Sequence, residues 1–305
     1  MIGVPFTLYI LYYNFMEPTK NVVDKALWYA NVLQHKSTMK PEKLEQSYKQ
    51  WQNQRAEFAT LSHDFSLEYL KKQPLLNYPQ MDKPGLLITF HFGPYRLLPR
   101  LLITAGHKVA LVASSNIIQR EHAWYNKEIQ RSEMDNDTLT CIDASNPNCL
   151  RSILNALLKE KRSVILFIDA DEGLGEGDYN KIQLFQGFVY WRTNIFKLAE
   201  RFNIQIRTAY VDVESSPLKT IPKIIFGKAV KGKYGESLET VSADFHRIMR
   251  NWTAWENWCL LHKYDKSVSA TKALDLSKPI WMMPCIFGGK RYFLDILNRQ
   301  FFELR

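Results

Sequence analysis

A histidine that follows a short apolar segment is the first residue of this sequence with the means to do chemistry. His91 comes directly after Leu86–Phe90, a run that favours a buried strand. Gly93 permits close approach of a substrate, and Pro94 suits the first position of a helix. In open α/β sheets, ligands bind at the carboxyl ends of the strands. His91 is therefore a candidate general base, and a purely structural histidine is the alternative.

A group of acids follows a second apolar segment. Residues 163–169 predict a buried strand that ends at Asp169, and Asp171 and Glu172 come just after it. These carboxylates could orient His91, bind a metal, or cap an exposed loop. Their spacing is too short for an EF-hand, and the four cysteines do not match a common zinc spacing. We therefore expect no metal site.

Two further segments carry weaker signals. Leu184–Phe188 contains Gly187, where a ligand or another chain segment could come close, although a simple turn is the alternative. Trp252, Trp255 and Trp258 are spaced for one face of a helix, which is typical of a buried core.

The surrounding sequence alternates between strand and helix patterns. Apolar runs predict strands at 86–90, 109–113, 139–143, 163–169, 204–213 and 221–230. Amphipathic segments predict helices at 119–134, 149–161 and 191–202, and helical structure at 238–264. Pro222 favours an edge position for the last of those strands. The alternation predicts an α/β fold with a mixed, mostly parallel central sheet flanked by helices.

This core has a predicted extension at each end. A helical N-terminal segment covers 1–80, the α/β core covers 81–265, and a C-terminal extension covers 266–305. In that extension Leu294, Leu297 and Phe301 are spaced for one face of a helix.

Composition excludes several classes of protein. The chain has 305 residues, of which 46% are hydrophobic and 23% charged, as in soluble globular proteins rather than disordered, collagen-like or multispan membrane proteins. Its net charge of +9 favours an anionic partner, such as coenzyme A, an acidic carrier protein or an acidic membrane surface. The basic residues are scattered and no nucleic-acid module is recognisable, so we expect no nucleic-acid binding.

The first 16 residues bear on localisation. They are mostly apolar and aromatic, but they lack the basic start of a signal peptide. They are also fewer than the roughly 20 residues that span a bilayer. A helix packed on the domain and a segment in the membrane interface both stay open. We expect a cytoplasmic protein with reduced cysteines, and peripheral contact with the inner face of the cytoplasmic membrane is an open alternative.

Taken in order, these segments resemble the lysophospholipid-acyltransferase-like superfamily, in particular its bacterial late acyltransferases of lipid A biosynthesis. The resemblance extends over residues 20–265. It is carried by His91-Phe92-Gly93, by Asp169-Ala-Asp171-Glu172-Gly173, by Phe185-Gln186-Gly187 followed by Leu198-Ala199, and by Asn257-Trp258-x-x-x-His262-Lys263.

The resemblance implies an acyltransferase without a metal or redox cofactor. His91 would be the general base on a hydroxyl or amine of the acceptor, which attacks an acyl thioester carried by acyl carrier protein or coenzyme A. Lipid, small-molecule and peptide acceptors all stay open. The resemblance also suggests substrate contacts from Gly93, Tyr95, Arg131 and Gly187. Backbone N–H groups near either glycine are candidates for an oxyanion hole.

One departure from the family puts the activity in question. The family has an acid five residues after the histidine, and this chain has Arg96. A carboxylate would stabilise the protonated imidazole and a guanidinium disfavours it. Either Asp169 or Asp171 reaches His91 from the neighbouring strand end, or the chain is a catalytically degenerate member that binds acyl chains or carrier protein as a scaffold. Arg96 itself would suit a phosphate or carboxylate of the substrate.

Overall fold

The described residues 20–72, which precede the sheet, are mostly helical. A computed structural model describes residues 20–72, 83–170, 179–215, 220–263, 282–287, 290–295 and 300–303. Three helices come first: α1 (Lys20–His35), α2 (Pro41–Asp64) and α3 (Leu67–Lys71). The Ser66 side chain accepts a hydrogen bond from the backbone N–H of Tyr69 and so caps α3. The predicted N-terminal helices are confirmed over the described residues, and the aromatic segment at 1–16 lies outside them.

Short apolar strands then alternate with helices. The order is β1 (Leu86–Thr89), α4 (Leu97–Thr104), β2 (Val109–Ala113), α5 (Ser115–Arg131), β3 (Leu139–Asp143), α6 (Cys149–Leu158) and β4 (Ser163–Phe167). These four strands pair in parallel in the spatial order β3-β2-β4-β1. All four residues of β1 are buried, as expected for a strand of a parallel sheet covered on both faces.

The second half of the chain contributes β7, β8 and β9 to this sheet. It contains β5 (Tyr179–Leu184), β6 (Gly187–Arg192), α7 (Asn194–Arg201), β7 (Gln205–Ser215), β8 (Thr220–Phe226), β9 (Val230–Lys231) and α8 (Tyr234–Ile248). Strand β7 pairs in parallel with β1, whereas β8 and β9 pair with β7 in antiparallel orientation. The result is a mixed, mostly parallel sheet of seven strands, as predicted. Pro222 lies in β8 at its edge, which confirms the placement expected from the missing N–H of proline.

Two helix predictions are wrong in detail. Trp191 belongs to β6, and the helix after it begins only at Asn194, because Val189 and Trp191 are buried alternate residues of a strand. In the C-terminal part the chain forms β10 (Met282–Phe287), β11 (Lys290–Asp295) and β12 (Gln300–Glu303), an antiparallel meander. Leu294 and Phe301 are cross-strand partners there, so their spacing reflects a hairpin and not a helical face. Leu297, the third residue of the predicted helical face, lies outside the described residues.

The chain divides into two compact units. One comprises 49–182 and 189–257, and it contains the seven-stranded sheet; the other comprises 1–48, 183–188 and 258–305. In the sheet-containing unit, alternate strand residues such as Leu87, Ile165 and Val211 join side chains of α3, α4 and α5 in one buried cluster. Among the helices of the described residues, none has both the length and the apolar composition needed to cross a membrane.

Candidate active site

His91 and Asp169 occupy equivalent positions beyond two neighbouring parallel strands. In the pairing of β1 with β4, Thr89 is level with Phe167. His91 and Asp169 each come two residues later, so the register of the strands continues to them. Because β1 and β4 are parallel, both side chains emerge at the carboxyl edge of the sheet, where open α/β folds bind their ligands.

Two hydrogen bonds join these residues. Nδ1 of the His91 ring lies 2.9 Å from Oδ1 of Asp169, and the backbone N–H of His91 donates to Oδ2 over 2.9 Å. An ionised carboxylate only accepts, so the neutral ring has its proton on Nδ1 and its lone pair on Nε2. The prediction that an acid from the neighbouring strand end contacts His91 is confirmed for Asp169. Asp171 lies outside the described residues.

Two residues near the end of the sheet-containing unit hold Asp169 in place. The Asp169 side chain is only 3% exposed, and a buried charge requires hydrogen-bond donors. The indole Nε1 of Trp255 donates to Oδ2 over 2.7 Å. The amide Nδ2 of Asn257 donates to the backbone oxygen of Asp169 over 2.6 Å and lies 3.2 Å from Nδ1 of His91. Oδ2 is therefore occupied by two donors, and Oδ1 is left to face the imidazole.

The helical conformation is interrupted after α8, and this places Trp255 beside Asp169. Asn251 has non-helical dihedral angles, and Trp255 is extended, with φ −85° and ψ 121°. Residues 254–256 run beside residues 91–93 through a bridge of Phe92 with Trp255, a hydrogen bond from the Gly93 N–H to the Ala254 oxygen (3.0 Å), and one from the Glu256 N–H to the His91 oxygen (2.8 Å). The prediction of one helical face for the three tryptophans is therefore wrong, although Trp255 and Trp258 are buried as expected.

Aromatic rings fix the plane of the imidazole. The His91 ring centroid lies 4.9 Å from that of Tyr95, in an edge-on arrangement, and 4.6 Å from that of Phe167. The His91 side chain is nevertheless 23% exposed. The ring is thus held by its neighbours and can still be reached from solvent.

The turn after His91 determines which backbone amides could stabilise an oxyanion. Gly93 has φ +60°, a conformation that favours glycine. Its N–H, expected as a candidate donor, is instead bonded to Ala254. Within the described part of the chain, the N–H groups of Tyr95 and Arg96 at the start of α4 have no acceptor. These two amides replace Gly93 as candidates.

Arg96 contacts a phenol of this turn. Its Nε donates to the hydroxyl of Tyr95 over 3.3 Å, and its side chain is exposed. Burial of Tyr95, together with the nearby carboxylate of Glu256, raises the pKa of Tyr95 to about 12. Tyr95 therefore stays a neutral hydroxyl over the physiological pH range.

Arg131, one of the other predicted substrate contacts, is not brought to His91. Arg131 ends α5 and pairs with Glu128 at 3.5 Å, with its side chain 70% exposed. Because α5 runs back from the end of β2 to the start of β3, its last turn lies toward the opposite edge of the sheet. Gly187 belongs to the other unit, where a Cβ on it would lie 2.5 Å from the ring of His35. The group that comes close to Gly187 is therefore the His35 ring.

The described residues contain both potential metal ligands and cysteine thiols. In the described ranges, no three His, Cys, Asp or Glu side chains are placed to hold a metal ion. Among the described residues, Cys141, Cys149 and Cys259 form no disulfide. Burial raises the pKa of Cys141 to about 11, so this thiol has little thiolate character at neutral pH.

Trp255 and Asn257 were not identified from the sequence as site residues. Asn257 had a signal, because it belongs to the segment Asn257-Trp258-x-x-x-His262-Lys263 that carries part of the family resemblance. Trp255 had none, since an indole in an aromatic stripe is accounted for by core packing.

The comparisons with known proteins do not assign the chain to a family. No model of a known protein family matches the chain, and no curated protein matches it either. The likeness to the lysophospholipid-acyltransferase-like superfamily therefore stays a hypothesis, based on the residues themselves.

Proposed function

We propose that this chain is an acyltransferase that moves an acyl group from a thioester of acyl carrier protein or coenzyme A to a hydroxyl or amine acceptor. The observation that carries the proposal is the His91–Asp169 pair, with its 2.9 Å contact at the carboxyl edge of the sheet. A histidine oriented in this way by a buried carboxylate is the usual arrangement for a general base.

The proposed reaction uses the lone pair on Nε2. The acceptor O–H or N–H gives its proton to Nε2 of His91 while its oxygen or nitrogen attacks the thioester carbonyl carbon. Asp169 stabilises the imidazolium that forms. The tetrahedral oxyanion would be bound by the amides of Tyr95 and Arg96. Collapse of the intermediate breaks the C–S bond, and the departing thiolate takes the proton from His91.

The contacts of Arg96 favour this proposal over the degenerate scaffold. The scaffold was suggested by Arg96 in place of the family acid. In the structure Asp169 supplies a carboxylate to Nδ1, and Arg96 donates to Tyr95. This contact supports the proposal that His91 is oriented without an acid at position 96.

Thiol release from a panel of acyl-coenzyme A and acyl-carrier-protein substrates, with and without simple alcohols and amines, tests the proposal. We expect release by the wild type and a loss of about 10²–10⁴-fold in His91→Ala. Equal release by both proteins would contradict it. An inactive wild type together with an active Arg96→Glu variant would show that the acid must stand at position 96, and would support the scaffold for the natural chain.

We propose further that the protein works in the cytoplasm and contacts the membrane peripherally. Its charge of +9 favours anionic surfaces and acidic carrier proteins. Sedimentation with anionic vesicles that is reversed by salt would support peripheral contact. Sedimentation that resists both salt and carbonate would contradict it.

A further inference from the structure

A small cleft lies beside the turn that follows His91. Its volume is about 200 Å³, below the range of about 300–1,000 Å³ typical of sites for drug-sized ligands. One wall comes from α2 and the other from residues 93–96, 254 and 256. We call it the α2 cleft. Its size suits a headgroup or a small molecule rather than a long acyl chain.

The charges around the α2 cleft do not cancel. Arg55 pairs with Glu256 at 3.3 Å and stacks over the ring of Trp51 at 4.6 Å. No carboxylate of the described residues lies within 4.0 Å of the Arg96 guanidinium. Glu256 and Glu121 also interact electrostatically with the Arg96 guanidinium over longer distances. Two guanidinium groups and one carboxylate line the cleft, so its lining keeps a net positive charge. A guanidinium binds phosphate and carboxylate groups well, because its N–H groups match two oxygens at once.

The cleft also has an apolar wall, and it shares Tyr95 with the surroundings of the candidate base. Phe58, Ala56, Ala59 and Pro94 line it along with the charged residues. Tyr95 lines it as well, and the same ring lies 4.9 Å from that of His91. A ligand with its anionic group on Arg96 would therefore lie one aromatic ring away from the imidazole.

We infer that the α2 cleft binds the acyl acceptor, and that this acceptor is a small molecule or headgroup with a phosphate or carboxylate held by Arg96 and an apolar portion against Phe58. The identification of this ligand as an acyl acceptor rests on the proposed acyltransferase function. The binding of the anion itself does not depend on that function, so the two can fail separately.

Calorimetric titration of the full-length protein tests the binding. The probes are phenyl phosphate, benzoate and, as the neutral analogue, benzyl alcohol. We expect one of the two anions to bind and benzyl alcohol to bind at least about tenfold more weakly, and the stronger anion identifies the headgroup class. Arg96→Gln should weaken binding of that anion by about tenfold or more. Arg151→Gln, an exposed arginine on α6, removes the same charge elsewhere and should leave binding unchanged.

Three results would overturn the binding. These are absence of binding by both anions, equal binding of benzyl alcohol, and an equal loss in Arg151→Gln. The assignment as acceptor has its own readout, the thiol release driven by 4-(hydroxymethyl)benzoate or 4-(hydroxymethyl)phenyl phosphate compared with benzyl alcohol. We expect Arg96→Gln to raise the KM of the anionic alcohol much more than it lowers kcat. Anion binding without faster release would overturn the acceptor assignment, whereas thiol release independent of His91 would overturn the proposed function instead.

Discussion

The indole of Trp255 donates a 2.7 Å hydrogen bond to Oδ2 of Asp169, and both residues are buried, at 1% and 5% exposure. The other oxygen of this carboxylate faces Nδ1 of His91. A side chain placed in the core by its aromatic surface therefore also determines which way the candidate catalytic carboxylate is turned.

Trp255→Phe should show this positioning role. Phenylalanine keeps most of the apolar contacts and removes the N–H, so Asp169 loses one of its charge-assisted hydrogen bonds. We expect the free energy of unfolding to fall by about 1.5–3 kcal/mol more than in the control, measured by urea denaturation. Thiol release should fall by about tenfold with little change in KM, since the acceptor site is untouched.

Trp191→Phe is the matched control. Trp191 is also 1% exposed, and its Nε1 has no hydrogen-bond partner among the described residues. This variant has the same change in volume and loses no hydrogen bond. If both variants lose the same stability and the same activity, the bond from Trp255 to Asp169 has no positioning role.

Asp169→Asn should inactivate the proposed enzyme with little change in shape. The amide would present an N–H group to Nδ1 or lose the bond, so the imidazole would no longer be held with its lone pair on Nε2. We expect thiol release to fall by about 10²–10⁴-fold. Asp143→Asn is the control, because Asp143 ends β3, the strand at the far edge of the same sheet. Among the described residues its carboxylate accepts hydrogen bonds only from Ser115 and Ser145. A similar loss in both variants would contradict the role of Asp169.

Gly93→Ala should destabilise the turn after His91. Gly93 has φ +60°, and a Cβ there would lie 3.0 Å from the backbone oxygen of Val211. The left-handed conformation alone costs an alanine about 1–2 kcal/mol. Gly106→Ala is the control, since Gly106 has φ +85° and open space around the added carbon. Thermal unfolding should show a larger loss for Gly93→Ala, and equal losses would mean that the backbone of β7 yields to the new methyl group.

His107 should make stability depend on pH. Partial burial lowers the pKa of His107 from its ordinary value of 6.5. The unfolded chain therefore binds the proton more readily than the folded one. The contribution of His107 is fully present above pH 6.5 and is lost as the pH falls through 6.5 toward the folded-state value. In His107→Gln, urea midpoints measured between pH 8 and pH 5 should decline less steeply than in the wild type. A parallel decline would exclude this histidine as a source of the acid sensitivity.

Local sequence patterns predicted most of the sheet. The strands at 109–113 and 139–143 have the bounds that were expected, because each is a short apolar run between polar or turn residues. The same patterns failed around Trp191 and Leu294. A short aromatic run fits a strand or a helix equally well by period, and only pairing with a neighbouring strand decides between them.

The sequence by itself determined that His91 stands at the end of a buried strand and that acids follow another such strand. It did not determine which strands are neighbours, since that depends on pairings between residues far apart in the chain. The tertiary structure places β4 beside β1 in parallel register, and this brings Asp169 to Nδ1 of His91. It also brings in Trp255, which lies 86 residues beyond Asp169. Arg96, the residue that put the activity in question, is nearer to His91 in sequence than Asp169 is. The carboxylate that contacts the ring nevertheless comes from another strand, because strand pairing brings Asp169 to it.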